Sequence, residues 1–599
     1  MFTKKDIIIV KKKINLLNFN SDKKKKNLKK KIKFKKKNTY FLGPWSKSNI
    51  NLFDEKFNDT LNFNKTFNIK KYSSDVKFLI KKYEFTLKIL TFELNKIHKT
   101  NHSQKYWELL LCRWLMTWIN HTYFIWDYVK KINRKFEVLN VYQNKFDSKS
   151  FIPEDTWDSH LMCRANSNSW REWTFSEILK NSSKNKINFV DICKKKSFLK
   201  KTNYSLLAPN LFFLRKNPKI FFYKLELNKK IKLNLFKKFK FAFLKYSEKR
   251  IYFNKNNIIN RNLLENLNSS IKTECSFQKL LMAQIKHSLP KIFYENYSEL
   301  KEINKKINWP EKTKYLLTSY GGVYDEPFKL FCAENEYLNK SQKLCVLQHG
   351  YGNFFKYEDF YNIYLDRRVS DIYLTWGKKI KNNSIPFFYP KYIKKKSSFK
   401  YDVKKNILFL TYSFNSGLIF PVDSFKNGNI INYESARKIL NFNKRIDNNL
   451  NKRIFFKNLN MNLRNDFEKS LKSKIPSIKF YKKNVKLIEI IDNYNLFIHH
   501  FLGTPFFECM SFNKPSIIIF DEKNSFPLDD EFKKFLVKFH KLKILFYDEK
   551  KAADFINKNF SKLEEWWNTK ELQLTIKKFS ELYCFNPTDP MKIISKIFK

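Results

Sequence analysis

His349 closes an apolar run and is followed by two glycines, Gly350 and Gly352, in LCVLQHGYG (344–352). A loop so rich in glycine lets the chain approach a ligand closely, and an imidazole there suits a general base for an acceptor hydroxyl or a donor to a phosphate. Glu358, Asp366, Arg367, Arg368 and Asp371 follow, candidates to orient that imidazole or to hold phosphate. The two arginines read equally well as a solvated face. A second group lies in HHFLGTPFFECMSFNKPSIIIFD (499–521). Thr504 is expected as the N-cap of a short helix, with Pro505 at its first position, where a missing N–H is harmless. Such a helix start offers free N–H groups and a partial positive charge to a phosphate. Glu508, one turn in, is placed to accept hydrogen bonds from ribose hydroxyls. His499 and His500, at the end of the preceding strand, point to opposite faces, so one of them faces the ligand. An ordinary capped strand-to-helix junction shows the same local pattern.

The elements that must carry these residues follow from periodicity. From residue 313 apolar runs alternate with helical segments: a strand and a Gly-Gly turn in TKYLLTSYGGVYDEP (313–327), then 344–348, 372–377, 406–413, 453–457, 478–481, 495–499, 516–520 and 544–548. That rhythm predicts parallel, doubly wound sheets, whose ligands bind beyond the carboxyl ends of the strands. Asn38 to Trp45 reads as a strand delivering a tight turn at Gly43–Pro44, with Gly43 and Trp45 as substrate-binding candidates. Residues 73–131 carry an aromatic stripe at helical spacing, expected to be core rather than a sugar platform. In 151–180, Asp155, Trp157, Asp158 and His160 are within possible reach of an acceptor, although helix capping explains the acids equally well. We expect an α/β fold: two doubly wound halves facing across a cleft, with a helical insertion in the N-terminal half. The boundaries read as 1–377, a linker at 378–402, a C-terminal α/β domain at 403–560 and terminal helices at 561–599.

Composition narrows the classes. The 599 residues carry a formal charge of +62, yet 43% are hydrophobic and 18% aromatic, the make-up of a folding chain. The charge alone points to nucleic acid or an anionic membrane surface. Abundant Lys, Asn, Ile and Phe also fit drift toward lysine on solvated faces, with no partner implied. There are nine glycines in all, against a usual share of about 7%. Seven of them fall at Gly43, Gly321, Gly322, Gly350, Gly352, Gly377 and Gly503, the places where loops are expected to meet a ligand. The eight cysteines form no C-x-x-C pair, which argues against a zinc site or a disulfide framework and fits a reducing cytoplasm. No apolar run approaches the roughly 18 residues of a spanning helix. Phosphate-loop, dinucleotide and nucleophile-elbow motifs are absent from the sequence.

Taken together, FLGPW (41–45), the region 94–115, LQHGYG (347–352), VSDIYLTWG (369–377), HHFLGTPFFECMSFNKPSI (499–517) and 552–567 resemble a bacterial transferase family found among surface-carbohydrate biosynthesis genes, with the GT-B glycosyltransferase architecture. The C-terminal motif is similar also to that of CDP-glycerol-dependent glycerophosphotransferases. The chain departs from the family pattern at Pro44, Ser46 and Cys112–Arg113. The resemblance implies a cytoplasmic enzyme, at the inner face of the membrane, that transfers a sugar from a nucleotide-sugar donor to a glycan or lipid-linked acceptor. His349 would be the base and Thr504 a phosphate ligand, with no metal and no cofactor beyond the donor. Glu358 and Asp371 complete the catalytic set; Gly350, Gly352, Arg367, Trp376, His499, His500, Gly503 and Glu508 join Thr504 in the binding set. A CDP-activated polyol phosphate as donor is the nearest alternative. A nucleic-acid-binding protein or a non-catalytic scaffold stands further off.

Overall fold

The computed structural model describes residues 12–18, 39–41, 69–166, 168–182, 187–194, 205–212, 219–225, 227–228, 231, 233–234, 245–252, 261–264, 275–310, 312–338, 341–350, 352, 354–355, 361–380, 382–390, 398–412, 428–458, 466–481, 485–520 and 527–598. Gly43, Trp45 and Glu358 lie outside these residues, so their expected roles have no structural counterpart here.

Three parallel sheets organise the described chain, one more than the sequence suggests. The first takes β1 (Lys12–Asn18), β2 (Thr39–Phe41), β3 (Phe136–Lys145) and β4 (Asn188–Lys194) in the order β2-β1-β3-β4. Between its strands run α1 (Ile69–His98), α2 (Gln104–Lys135), the short α3 (Thr156–His160) and α4 (Asn168–Ser182). Helix α2 starts at Ser103, whose hydroxyl accepts the Tyr106 N–H at 3.1 Å, an ordinary N-cap. Every residue from Tyr106 to Tyr123 is buried, so α2 is enclosed on all sides and the aromatic stripe is core, as expected. Strands β5 (Ser205–Phe212) and β7 (Lys245–Tyr252) form a separate antiparallel pair around β6 (Ile220–Tyr223) in sequence.

The second sheet holds β6, β8 (Tyr315–Thr318), β9 (Lys343–Leu347), β10 (Ile372–Thr375) and β11 (Ser384–Pro386) in the order β11-β10-β9-β8-β6, all parallel. Helices α5 (Gly321–Tyr324), α6 (Glu326–Tyr337) and α7 (Tyr361–Val369) connect its strands. Because β11 pairs with β10, and Phe387 and Phe388 are buried, the first part of the expected 378–402 linker belongs to this domain.

The third sheet contains β12 (Asn406–Thr411), β13 (Ile454–Asn458), β14 (Lys479–Phe480), β15 (Tyr494–His499), β16 (Ser516–Ile519) and β17 (Leu545–Phe546). Its order, β14-β13-β12-β15-β16-β17, is the 3-2-1-4-5-6 winding of a dinucleotide-binding fold, with the direction of winding reversing between β12 and β15. Helix α8 (Thr504–Ser511) crosses from β15 to β16, and α9 (Asp530–Lys541) and α10 (Lys570–Tyr583) cover the sheet. The last helix, α11 (Pro590–Ile597), leaves this domain: Ile594 and Phe598 are buried with Ile220, Leu317, Leu347 and Leu374 of the second sheet. The second and third sheets are the two parallel α/β halves expected, and the helical N-terminal region holds a sheet of its own.

Candidate functional site

The reversal point between β12 and β15 is where a doubly wound sheet opens a crevice beyond its carboxyl ends. Four residues past β15, Gly503 is the N-cap of α8, with no side-chain cap, and Thr504 is the first helical residue. This corrects the expected register by one: Thr504 does not cap the helix, and Pro505 stands second. Pro505 has no N–H and that of Phe506 bonds the Gly503 carbonyl at 2.9 Å. The N–H groups of Gly503 and Thr504 therefore have no intrahelical partner. The ring of Phe501 lies against Gly503 so closely that a Cβ there would sit 2.2 Å from Cε2 and push that ring aside.

His499 is not available as a charged ligand. It is fully buried, edge-on to Phe506 at 5.3 Å, and burial pushes its pKa down to about 3. Neither ring nitrogen finds a hydrogen-bond partner among the described residues. It meets a ligand, if at all, as a neutral imidazole. His500 is half-buried and its N–H bonds the Leu410 carbonyl at 3.1 Å, extending the β12–β15 pairing to the crevice. Glu508 accepts a hydrogen bond from the Tyr389 hydroxyl, so one of its oxygens already joins the two halves.

His349, two residues beyond β9, is exposed, and its ring lies 5.8 Å from that of Tyr320, at the end of β8. Gly350 (φ +82°) and Gly352 (φ +143°) both adopt left-handed backbone, the reason the loop needs them. The rest of the expected catalytic set does not gather here. Asp371 accepts the Leu344 N–H at 2.8 Å and pairs with Lys105 at 3.3 Å. It thus sits at the amino end of β9, and five residues of strand put it roughly 16 Å from the level of His349. Arg367 lies in the last turn of α7, with its carbonyl accepting from Asn383 Nδ2 at 2.8 Å, near that same amino end. Trp376 is buried; its indole N–H donates to the Gln348 carbonyl at 3.0 Å and its own N–H to Gln348 Oε1 at 2.9 Å. It braces the peptide before His349 and has no face left for substrate.

Two threads tie this loop to α8. Phe354, five residues after His349, stacks on Phe507 in the first turns of α8 at 5.2 Å and on Phe532 of α9 at 4.4 Å, while its carbonyl accepts the Asp529 N–H at 2.8 Å. Five residues span at most about 18 Å, which bounds the distance of His349 from Phe354 and so ties its loop to the α8 side of the third sheet. The second thread runs from Glu508 to Tyr389, whose ring meets Trp376 edge-on at 4.7 Å, and from Trp376 to Gln348. Gln348, Phe354 and Tyr389 are what sequence reasoning missed; only Gln348, inside LQHGYG, lay within a stretch that had drawn attention.

A family model described as "LIC12162 family transferase" matches residues 26–598. No curated protein matches the chain significantly. Among solved structures, MurG of Acinetobacter baumannii is similar at 12% identity and TM-score 0.27, over 51% of this chain and 78% of that one. The spinosyn rhamnosyltransferase SpnG follows at 10% and 0.27, over 57% and 81%. The pneumococcal O-GlcNAc transferase GtfA, in complex with UDP and GlcNAc, stands at 9% and 0.28, over 51% and 59%.

Proposed function

The chain belongs to the LIC12162 family of transferases, and from that premise we propose that it moves a sugar from a nucleotide-activated donor to a glycan acceptor. The observation that carries the reading is the junction of the exposed His349 loop with the uncapped start of α8 at the reversal point of the third sheet. The donor diphosphate lies at that helix start, on the N–H groups of Gly503 and Thr504, where the helix dipole balances the charge of the leaving nucleotide. The remaining oxygen of Glu508 serves the ribose. His349 takes the proton from the acceptor hydroxyl as it attacks the anomeric carbon. No cofactor beyond the donor enters this reading.

The test is a thermal-shift series with UDP, CDP, GDP and CMP. One nucleotide at a hundred times its dissociation constant stabilises by about 2.7 kcal/mol. Thr504→Asp places a negative charge where it favours the helix but repels a diphosphate. That variant keeps its own melting temperature and loses the nucleotide shift, whereas His349→Ala keeps the shift and loses transfer. A wild-type protein indifferent to every nucleotide, or an undiminished shift in Thr504→Asp, refutes the donor site.

A further inference from the structure

A cluster of aromatic rings stands beside His349, where the carboxyl-end loops of two different sheets meet. One loop follows β3 and carries Trp157 on α3; the other follows β8 and carries Tyr320 and Tyr324. Trp157 lies flat on His160, with ring centroids 5.3 Å apart and 13° between planes, and meets Tyr324 edge-on at 4.8 Å. The Tyr324 hydroxyl and His160 Nδ1 are 2.9 Å apart. Tyr324 is four residues after Tyr320, whose ring is 5.8 Å from that of His349. The rings therefore trace a path from His349 outward, and yet Trp157 is 46% and Tyr320 41% exposed. Neighbouring aromatic rings left partly in water form a contiguous patch, the kind of surface that marks a binding site.

The loop that carries Trp157 is held firmly. The Thr156 N–H donates to Glu326 Oε1 at 3.0 Å, and the Thr156 hydroxyl accepts from Lys329 Nζ at 2.9 Å. Glu326 and Lys329 pair at 2.5 Å with almost no exposure. Burying an ion pair opposes folding unless its hydrogen bonds are met, and this one is spent on fixing the residue next to Trp157. Asp155 caps α3 through the Asp158 N–H at 2.7 Å, and Asp158 accepts the Glu154 N–H at 2.9 Å. Behind Tyr320 lies a small, mostly apolar pocket lined by Leu109, Val323, Phe328 and Leu344, with the Arg113–Asp366 pair in its wall.

We infer that Trp157, Tyr320 and Tyr324 form the platform that binds the acceptor as a carbohydrate chain. Sugar rings present flat C–H faces that stack on aromatic rings, while their hydroxyls are bonded by acids and hydroxyls at the rim. Asp155 and the Tyr324 hydroxyl supply that rim, beside Glu154, which pairs with Lys291 at 2.6 Å. The direction of the path places the far sugars at Trp157 and the reactive end at His349. The inference rests on the transferase reading only in calling the bound glycan an acceptor.

The experiment is a printed array of bacterial glycans probed with the full-length protein, as wild type, Trp157→Ala and Trp157→Phe. The nucleotide thermal shift is read on the same samples. Wild type binds one family of related glycans; Trp157→Ala loses about tenfold in apparent affinity, the worth of one stacked ring, and Trp157→Phe keeps most of it. All three retain the same nucleotide shift, because Trp157 lies away from α8. Glycan binding without any nucleotide shift would remove the donor assignment and leave the platform standing. No glycan bound by wild type, equal binding by Trp157→Ala, or a loss seen instead on vesicles of phosphatidylcholine and phosphatidylglycerol overturns the platform.

Discussion

Two histidines of similar promise in the sequence have opposite fates. Rare glycines following His349 signalled backbone that other residues resist, and the positive φ of Gly350 and Gly352 bears that out. His499, beside an equally suggestive helix start, points inward and is sealed in. The alternation of a strand tells that His499 and His500 part ways, but not which one the core takes. Asp371 and Arg367 lie apart from His349 because closeness in sequence says nothing of strand ends: α7 carries the chain back to the amino side of the sheet before β10 begins, whereas Trp376, past the carboxyl end of β10, returns to Gln348 and is buried there. The burial of His499 has a consequence in pH. Folded, its imidazole stays neutral down to about pH 3, while unfolded it takes a proton near pH 6.5. Between those values the unfolded state binds the extra proton, so stability falls with pH below 6.5, by about 1.4 kcal/mol per unit. His102 is pushed down to about 4 by burial and adds to the fall in the same direction. In His499→Leu, therefore, the melting temperature at pH 7.5 changes little, and its drop toward pH 5 is shallower by the equivalent of roughly 2 kcal/mol. An unchanged slope would mean that the imidazole is paired in solution.

At the level of elements, the second and third sheets were legible because strands buried on both faces read as plain apolar runs, such as LCVL and SIIIF. The first sheet was not. KKINLLN and FEVLNVYQNK mix lysine and asparagine into β1 and β3, so neither reads as an apolar run, although the aromatic stripe of α2, which packs on β3, was legible. The seam between the halves was equally invisible, since Tyr389–Glu508 and Lys378 with Asp529 and Glu531 join residues more than a hundred apart. Gly377 marks that seam. Its φ is +133°, and a Cβ there would lie 2.3 Å from the Glu581 carbonyl oxygen of α10, while the next N–H, of Lys378, bonds the Leu582 carbonyl. Gly377→Ala combines strained backbone with a collision against a helix backbone, which costs on the order of 2 kcal/mol or more. Melting followed by calorimetry should show the variant's halves separating into two transitions where wild type has one. A single transition at the wild-type temperature would show that α10 yields freely.

Across the whole molecule, the charge of +62 is the most conspicuous number in the sequence, and the site explains none of it. Among the described residues no helix is long and apolar enough to cross a membrane. What ties the two halves together is instead the return of the last described helix to the second sheet. The apolar face of α11 closes the second sheet: Phe598 is fully buried and meets Tyr315 of β8 edge-on at 5.1 Å, with Ile594 beside it. The Phe585 N–H bonds the Trp376 carbonyl at 3.0 Å, and the Tyr389 N–H the Phe585 carbonyl at 2.6 Å, so the approach to α11 is stitched to the peptides that brace His349. The sequence sets 561–599 apart as terminal helices; packing divides them, α10 lying on the third sheet and α11 on the second. Removing the Phe598 ring leaves a cavity under β8 and is expected to destabilise by about 3–5 kcal/mol. The effect belongs to strands more than two hundred residues away. Hydrogen exchange in Phe598→Ala should therefore quicken at β8, β9 and β10 while β12 and β15 keep their protection. Faster exchange confined to the third sheet would place α11 with the donor half after all, and would free the His349 loop from any dependence on the C-terminus.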